Sequence, residues 1–165
     1  MKKITIGQAS KLTSPNPLTV VCTETPEGNT NLATVSWWTY LSFNPGIVGF
    51  AMAKTSFSGE MVRRNNEAIL AMPGKDMAAA VISCGSTTGR DTNKSKKFNI
   101  ELKVYSDSVI KIPKHTRVAI KLRLTETVEV GDHYFYICSV EQVYGDEAEE
   151  ALFAWDGYSQ VRPIK

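Results

Sequence analysis

Two long runs near the C-terminus constrain the fold of this chain most. In Arg117 to Val130 the apolar residues Val118, Ile120, Leu122 and Leu124 alternate with Lys121, Arg123 and Thr125, the two-residue period of a strand with one buried and one solvated face. The second run, His133 to Val143, follows after only Gly131-Asp132, a pair suited to the tight turn of an antiparallel hairpin. Four shorter runs rich in Val, Ile, Thr and aromatic residues, Leu18 to Thr25, Leu32 to Thr39, Ile47 to Ala53 and Ala68 to Met72, are bounded by Gly, Pro and Asn clusters and read as further strands. A turn is expected at Glu24 to Gly28. The chain is therefore mainly β and antiparallel, with two short helices expected. One runs from Ser58 to Asn65, capped by Ser56 or Ser58. The other runs from Asp76 to Ser83, capped by Asp76 and ended by Gly85.

Composition narrows the function. With 165 residues, 42% of them hydrophobic, one sizeable core is affordable, so residues 1–165 are expected to form one domain. The net charge of +2 falls well short of a dedicated nucleic-acid binder. Cys22, Cys84 and Cys138 have neither disulfide-framework nor zinc-ligand spacing, which fits a reducing cytoplasm. They are expected to pack as small apolar residues, with Cys84 the one placed for exposure. Lys2 and Lys3 could open a signal peptide, but Gln8, Ser10 and Lys11 interrupt its apolar region, so neither export nor a membrane partner is expected.

Four segments can carry chemistry. Asn31-Leu32-Ala33-Thr34-Val35-Ser36-Trp37 sets small side chains and hydroxyls on a strand, whose backbone N–H groups could meet the polar edge of a flat ring. The same residues also suit a strand with one polar face. Ala51-Met52-Ala53-Lys54-Thr55-Ser56-Phe57-Ser58 leads a strand into a helix N-terminus, a phosphate cradle or simply an N-cap. Residues 84–99, with Arg90, Lys94, Lys96 and Lys97, read as a mobile surface loop that either adds cations to that phosphate or is merely solvated. His133, beside Gly131-Asp132, is either turn chemistry or a contact to a nicotinamide. No HExxH, CxxC, nucleophile-elbow or paired-carboxylate pattern is present, so no metal and no side-chain catalyst is expected, and a cofactor would carry any reaction.

In their order these pieces resemble the flavin reductase-like family, which includes flavoredoxins and the small reductase components of two-component monooxygenases. Pro17-Leu18-Thr19-Val20-Val21 and Thr25 to Asn31 resemble the family's opening strand and turn, and Ala33-Thr34-Val35-Ser36-Trp37 its flavin-facing strand. Asn44-Pro45-Gly46 stands where the family has Asp-Pro-Pro. Gly89-Arg90-Asp91 and Lys97-Phe98 resemble the loop ending in Asp-Lys-Phe, with Lys96 in place of Asp, and Gly131-Asp132-His133 matches Gly-Asp-His. The resemblance spans roughly residues 15–145. It implies an FMN-binding split β-barrel of Greek-key topology, a homodimer, and NADH or NADPH as electron donor. Ala33, Thr34, Val35, Ser36 and Trp37 would line the ring. Ala53, Lys54, Thr55, Ser56 and Phe57 would hold the phosphate, with Lys94 or Lys97 closing over it. Asn31 and Arg90 would complete the site, and His133 would face the nicotinamide. A flavoredoxin-type carrier serving a redox protein partner is the alternative. A third reading is a non-enzymatic barrel that binds nucleic acid or a peptide through Trp37, Trp38 and Tyr40.

Overall fold

The computed structural model describes every residue except Ser106, Tyr158 and Lys165. The elements in chain order are α1 (Ile6–Leu12), β1 (Asn16–Pro17), β2 (Thr19–Glu24), β3 (Thr30–Val35), β4 (Trp38–Phe43) and β5 (Gly46–Ala53). Then come α2 (Phe57–Asn65), β6 (Glu67–Pro73), a 3-10 turn (Lys75–Met77), α3 (Ala78–Ser86), α4 (Lys94–Lys97), β7 (Leu102–Lys103) and β8 (Ile112–Pro113). The long hairpin β9 (Thr116–Val130) and β10 (His133–Gly145) is followed by β11 (Leu152–Trp155) and β12 (Gln160–Pro163). Seven strands form one antiparallel sheet in the order β3-β2-β6-β9-β10-β5-β4, while β1, β11 and β12 form a small second sheet.

The expected hairpin is present and organises the sheet. Gly131 takes the left-handed φ of +56° that its tight turn requires, and β9 lends its other edge to β6. The alternation of β9 buries Ile120 and Leu122 on one face, and Ala119 is buried in a second core cluster on the opposite face. On β5 the same two-residue period puts Val48, Phe50 and Met52 into the core. The opposite face carries Ile47 at the start of the strand and then only the small residues Gly49, Ala51 and Ala53.

The structure corrects four local expectations. The run Leu32 to Thr39 is two strands, because the chain leaves β3 at Val35 and crosses through Ser36-Trp37 to begin β4 at the far edge of the sheet. Asp76 caps no helix: the chain enters α3 through the 3-10 turn, after Gly74 N–H donates to His115 O at 2.8 Å. Gly85 lies inside α3, which continues to Ser86. Segment 84–99 is built into the fold at both ends, by the last turn of α3 and by α4, and Cys84 is buried rather than exposed.

All three thiols are free and buried. Burial raises the Cys84 thiol from its ordinary 9.0 to about 11 and the Cys138 thiol to about 12, and it raises Cys22 further still. The folded state thus keeps protons that the unfolded chain releases above pH 9. Stability is full below that pH and is lost as pH rises through 11 to 12, by up to about 1.4 kcal/mol per pH unit for each thiol. Burial lowers Lys94, which has the opposite sign, but it is one group against three. Urea midpoints should therefore fall steeply between about pH 9 and pH 11, and the fall should be shallower in Cys138→Ala. A flat profile would mean that the thiols ionise without unfolding the chain.

Candidate functional site

A cleft of about 460 Å³ opens where β3 and β5 approach one another and α2 begins. One wall is Ala33, Thr34 and Val35 of β3 and the other is Ala51, Met52 and Ala53 of β5. The small side chains of Ala33, Thr34, Ala51 and Ala53 leave room for a flat ring near the backbone, while Val35 and Met52 are largely buried in the core. The cleft runs into Thr55, Ser56, Phe57 and Ser58 at the start of α2. Ser56 caps this helix, its Oγ accepting from Gly59 N–H at 3.2 Å. The first N–H groups of the helix have no intrahelical acceptors and, with the helix dipole, favour an anion there. Ser86, Thr87, Thr88 and Gly89 close the opposite side.

Two contacts hold this end together. Asn31 Nδ2 donates to Ser58 Oγ at 2.6 Å, while its buried Oδ1 has no hydrogen-bond partner among the described residues and lies against Gly89. Arg90 pairs with Glu60 at 2.8 Å and lies over the Phe57 ring, 5.1 Å from its centroid. At the mouth, Trp37 leans on His133 with ring centroids 4.9 Å apart. His133 Nδ1 lies 2.7 Å from Asp132 Oδ1, and this hydrogen bond, with the neighbouring imidazole charge, holds the Asp132 carboxyl below its ordinary value.

The Flavin reductase like domain model matches residues 12–162. The chain belongs to the flavin reductase-like family. An uncharacterized protein of Archaeoglobus fulgidus is 26% identical over 119 residues, which is 70% of this chain and 66% of that one, so the match spans just under two thirds of this relative. Three solved structures share the fold. A split-barrel protein of Shewanella frigidimarina has a TM-score of 0.86 at 16% identity, over 96% of this chain and 87% of its own. A flavoredoxin of Methanosarcina acetivorans has 0.84 at 20%, over 100% and 92%. An FMN-binding protein of Thermus thermophilus with bound p-hydroxybenzaldehyde has 0.80 at 20%, over 94% and 89%. The fold of this flavin reductase-like chain is accordingly an antiparallel split β-barrel, with a few short helices.

Of the residues singled out in the sequence, the structure gathers Ala33, Thr34, Val35, Trp37, Ala53, Thr55, Ser56, Phe57, Lys94 and His133 around the cleft. Asn31 and Arg90 stand behind it through Ser58 and Phe57. Ser36 is buried outside the lining, and Lys54 turns to an ion pair with Glu129. Lys97 is exposed on α4, beside the Phe98 ring.

Lys94 departs most from expectation. It is 3% exposed and its ammonium donates to Leu32 O at 2.6 Å and Cys84 O at 2.9 Å. The last turn of α3 leaves the Cys84 carbonyl without an intrahelical donor, and an edge strand leaves the Leu32 carbonyl equally in need. The lysine is thus a bracket between β3 and α3 at the cleft wall. Sequence reasoning took Ala51 and Met52 only as the strand leading into the phosphate cradle and not as wall residues beside the ring. It placed Ser86 to Gly89 within the ligand-ordering loop 84–99 but named none of the four as a site residue. No described helix is long and apolar enough to cross a membrane.

Proposed function

We propose that this protein is an FMN-binding oxidoreductase that uses NADH or NADPH to reduce flavin, working as one domain and as a homodimer. The observation that carries the reading is the continuity of the cleft: two small-residue walls lead directly to a hydroxyl-lined helix N-terminus. Those residues fit FMN. The flat walls suit an isoalloxazine ring, and the donors of Thr55, Ser56 and Ser58 suit a terminal phosphate. A bound flavin supplies the two-electron chemistry, taking reducing equivalents from a nicotinamide and passing them on.

The chain's own part is binding and orientation. Backbone N–H groups along Ala33 to Val35 would hold the polar edge of the ring, and as fixed donors they would favour negative charge there. Asn31 fixes Ser58, and Arg90, held by Glu60, keeps Phe57 in place at the phosphate end. Trp37 and His133 frame the mouth, where the nicotinamide would lie against an imidazole oriented by Asp132.

The partner copy would cover β4. This edge strand and its approach expose Trp37, Tyr40, Leu41 and Phe43, the last at 90%, an apolar margin of the kind that isologous dimers bury. The free thiols support a cytoplasmic setting.

The test is an anaerobic absorbance titration of the purified protein with FMN, then with NADH and NADPH, with sedimentation to read the mass. Flavin that binds and bleaches on a dimer is the expected result. Binding without bleaching would replace the reductase with an electron carrier serving a protein partner, and absence of flavin binding would overturn both.

A further inference from the structure

Away from the cleft, three segments distant in sequence bring Asp76, His115 and Glu149 together. His115 Nδ1 lies 3.0 Å from Glu149 Oε1 and 4.0 Å from Asp76 Oδ2, and the three ligand atoms all fall within 4.8 Å of one another. A first-row metal with bonds of about 2.0–2.2 Å sets its tetrahedral donors roughly 3.3–3.6 Å apart, so small side-chain movements close this set around an ion. Asp76, the most exposed of the three, has the freedom to make the largest of them.

The backbone is already fixed for the purpose. Gly74 N–H donates to His115 O at 2.8 Å, Gly74 bridges to Ala151, and the Arg117 guanidinium donates to Glu149 O. A methyl group on Gly74 would lie 2.4 Å from Glu149 Oε2 and 2.9 Å from His115 O, so the missing side chain is what lets the carboxylate lie in this position. The charge is unbalanced. Among the described residues no lysine or arginine forms an ion pair with Asp76 or Glu149; Lys75 turns to Glu150, and Arg117 serves carbonyls instead. Two carboxylates facing one imidazole are a cation's donor set, and the second carboxylate, Asp76, stands beyond the half-buried His115–Glu149 contact with no partner that the contact supplies.

We propose that Asp76, His115 and Glu149 form a zinc site that staples the C-terminal β11–β12 hairpin and the entry to α3 onto the barrel. An imidazole nitrogen with carboxylate oxygens suits zinc and its transition-metal neighbours better than magnesium or calcium, whose ligands are oxygens. The site is structural: it ties the turn before α3, whose last turn walls the cleft, to the turn before β11. An ion that binds only the folded chain raises its melting temperature.

Metal-free protein, without flavin, would be titrated with Zn²⁺ by calorimetry and with Co²⁺ by visible absorption, and melted with and without Zn²⁺. One ion per chain is expected, with a melting temperature raised by several degrees and no matching response to Mg²⁺. His115→Ala and the near-isosteric Glu149→Gln should each weaken binding at least tenfold and abolish the thermal shift. His133→Ala, at the other histidine, should retain both. Wild-type protein that binds no Zn²⁺, or variants at position 115 or 149 that bind it as well as wild type, would overturn the proposal.

Discussion

Phe50→Ala will cost about 3–5 kcal/mol of folding free energy and will remove flavin binding with it. Phe50 is fully buried at the middle of β5, its ring stacked on Tyr136 with centroids 5.1 Å apart and only 22° between the planes. In the strand ladder it stands opposite Tyr136 on one side and Trp38 on the other. Removing the ring leaves a void among residues that cannot collapse: Tyr136 is itself fully buried, and its hydroxyl is tied to Arg63 on α2. Functional loss follows from position. The residues after Phe50 are Ala51, Met52 and Ala53, the cleft wall, and the chain then turns at once into α2. Urea unfolding followed by tryptophan fluorescence reads the first effect and FMN titration the second. Val143→Thr, on an exposed position of β10, should stay within about 0.5 kcal/mol of wild type. A Phe50→Ala midpoint close to wild type would show that the β5–β10 core relaxes freely around the missing ring.

What could be read from the sequence follows from the range of the forces involved. The β9–β10 hairpin was legible because a two-residue alternation and a Gly131-Asp132 turn are local, and both act over a few residues. Helix α2 was legible to within one residue, Ser58 for Phe57, and of the two serines that could cap it Ser56 does so through its own side chain. The break between β3 and β4 was not, since Ser36-Trp37 holds no glycine, proline or asparagine, and only the sheet's far edge draws the chain away. Asp76 looked like a cap three residues past Pro73, yet the helix start is set by His115 O, forty-one positions distant from Gly74. Lys94 looked like surface for the same reason: its burial answers to carbonyls at Leu32 and Cys84 that only the folded chain brings to it. Helix α1 carried a readable signal that went unused, the reciprocal Thr5–Gln8 capping box. Family resemblance supplied the fold where local patterns could not, but it named strand residues better than loop residues.

Gly89→Ala will weaken FMN binding at least tenfold, about 1.4 kcal/mol, while leaving the barrel folded. An added methyl would lie 1.9 Å from Asn31 Oδ1 and 2.6 Å from Asn31 Cγ, far inside contact distance. Asn31 has nowhere to go: it is 3% exposed, paired to Thr23 across the sheet, and bonded through Nδ2 to Ser58 Oγ. Either the asparagine releases Ser58 or segment 86–89 withdraws, and both responses deform the phosphate end of the cleft rather than the core. Loss of the 2.6 Å contact would also leave a second buried polar atom on Asn31 unpaired, beside an Oδ1 that already lacks a partner. Asp91→Ala, two residues further along the same loop and exposed, should bind FMN as wild type does. The pair separates the Gly89–Asn31–Ser58 junction from loop stiffness in general, because a loosened loop would weaken both variants. Equal affinity in Gly89→Ala and wild type would show that the loop shifts without moving Ser58, and would take Asn31 out of the flavin site.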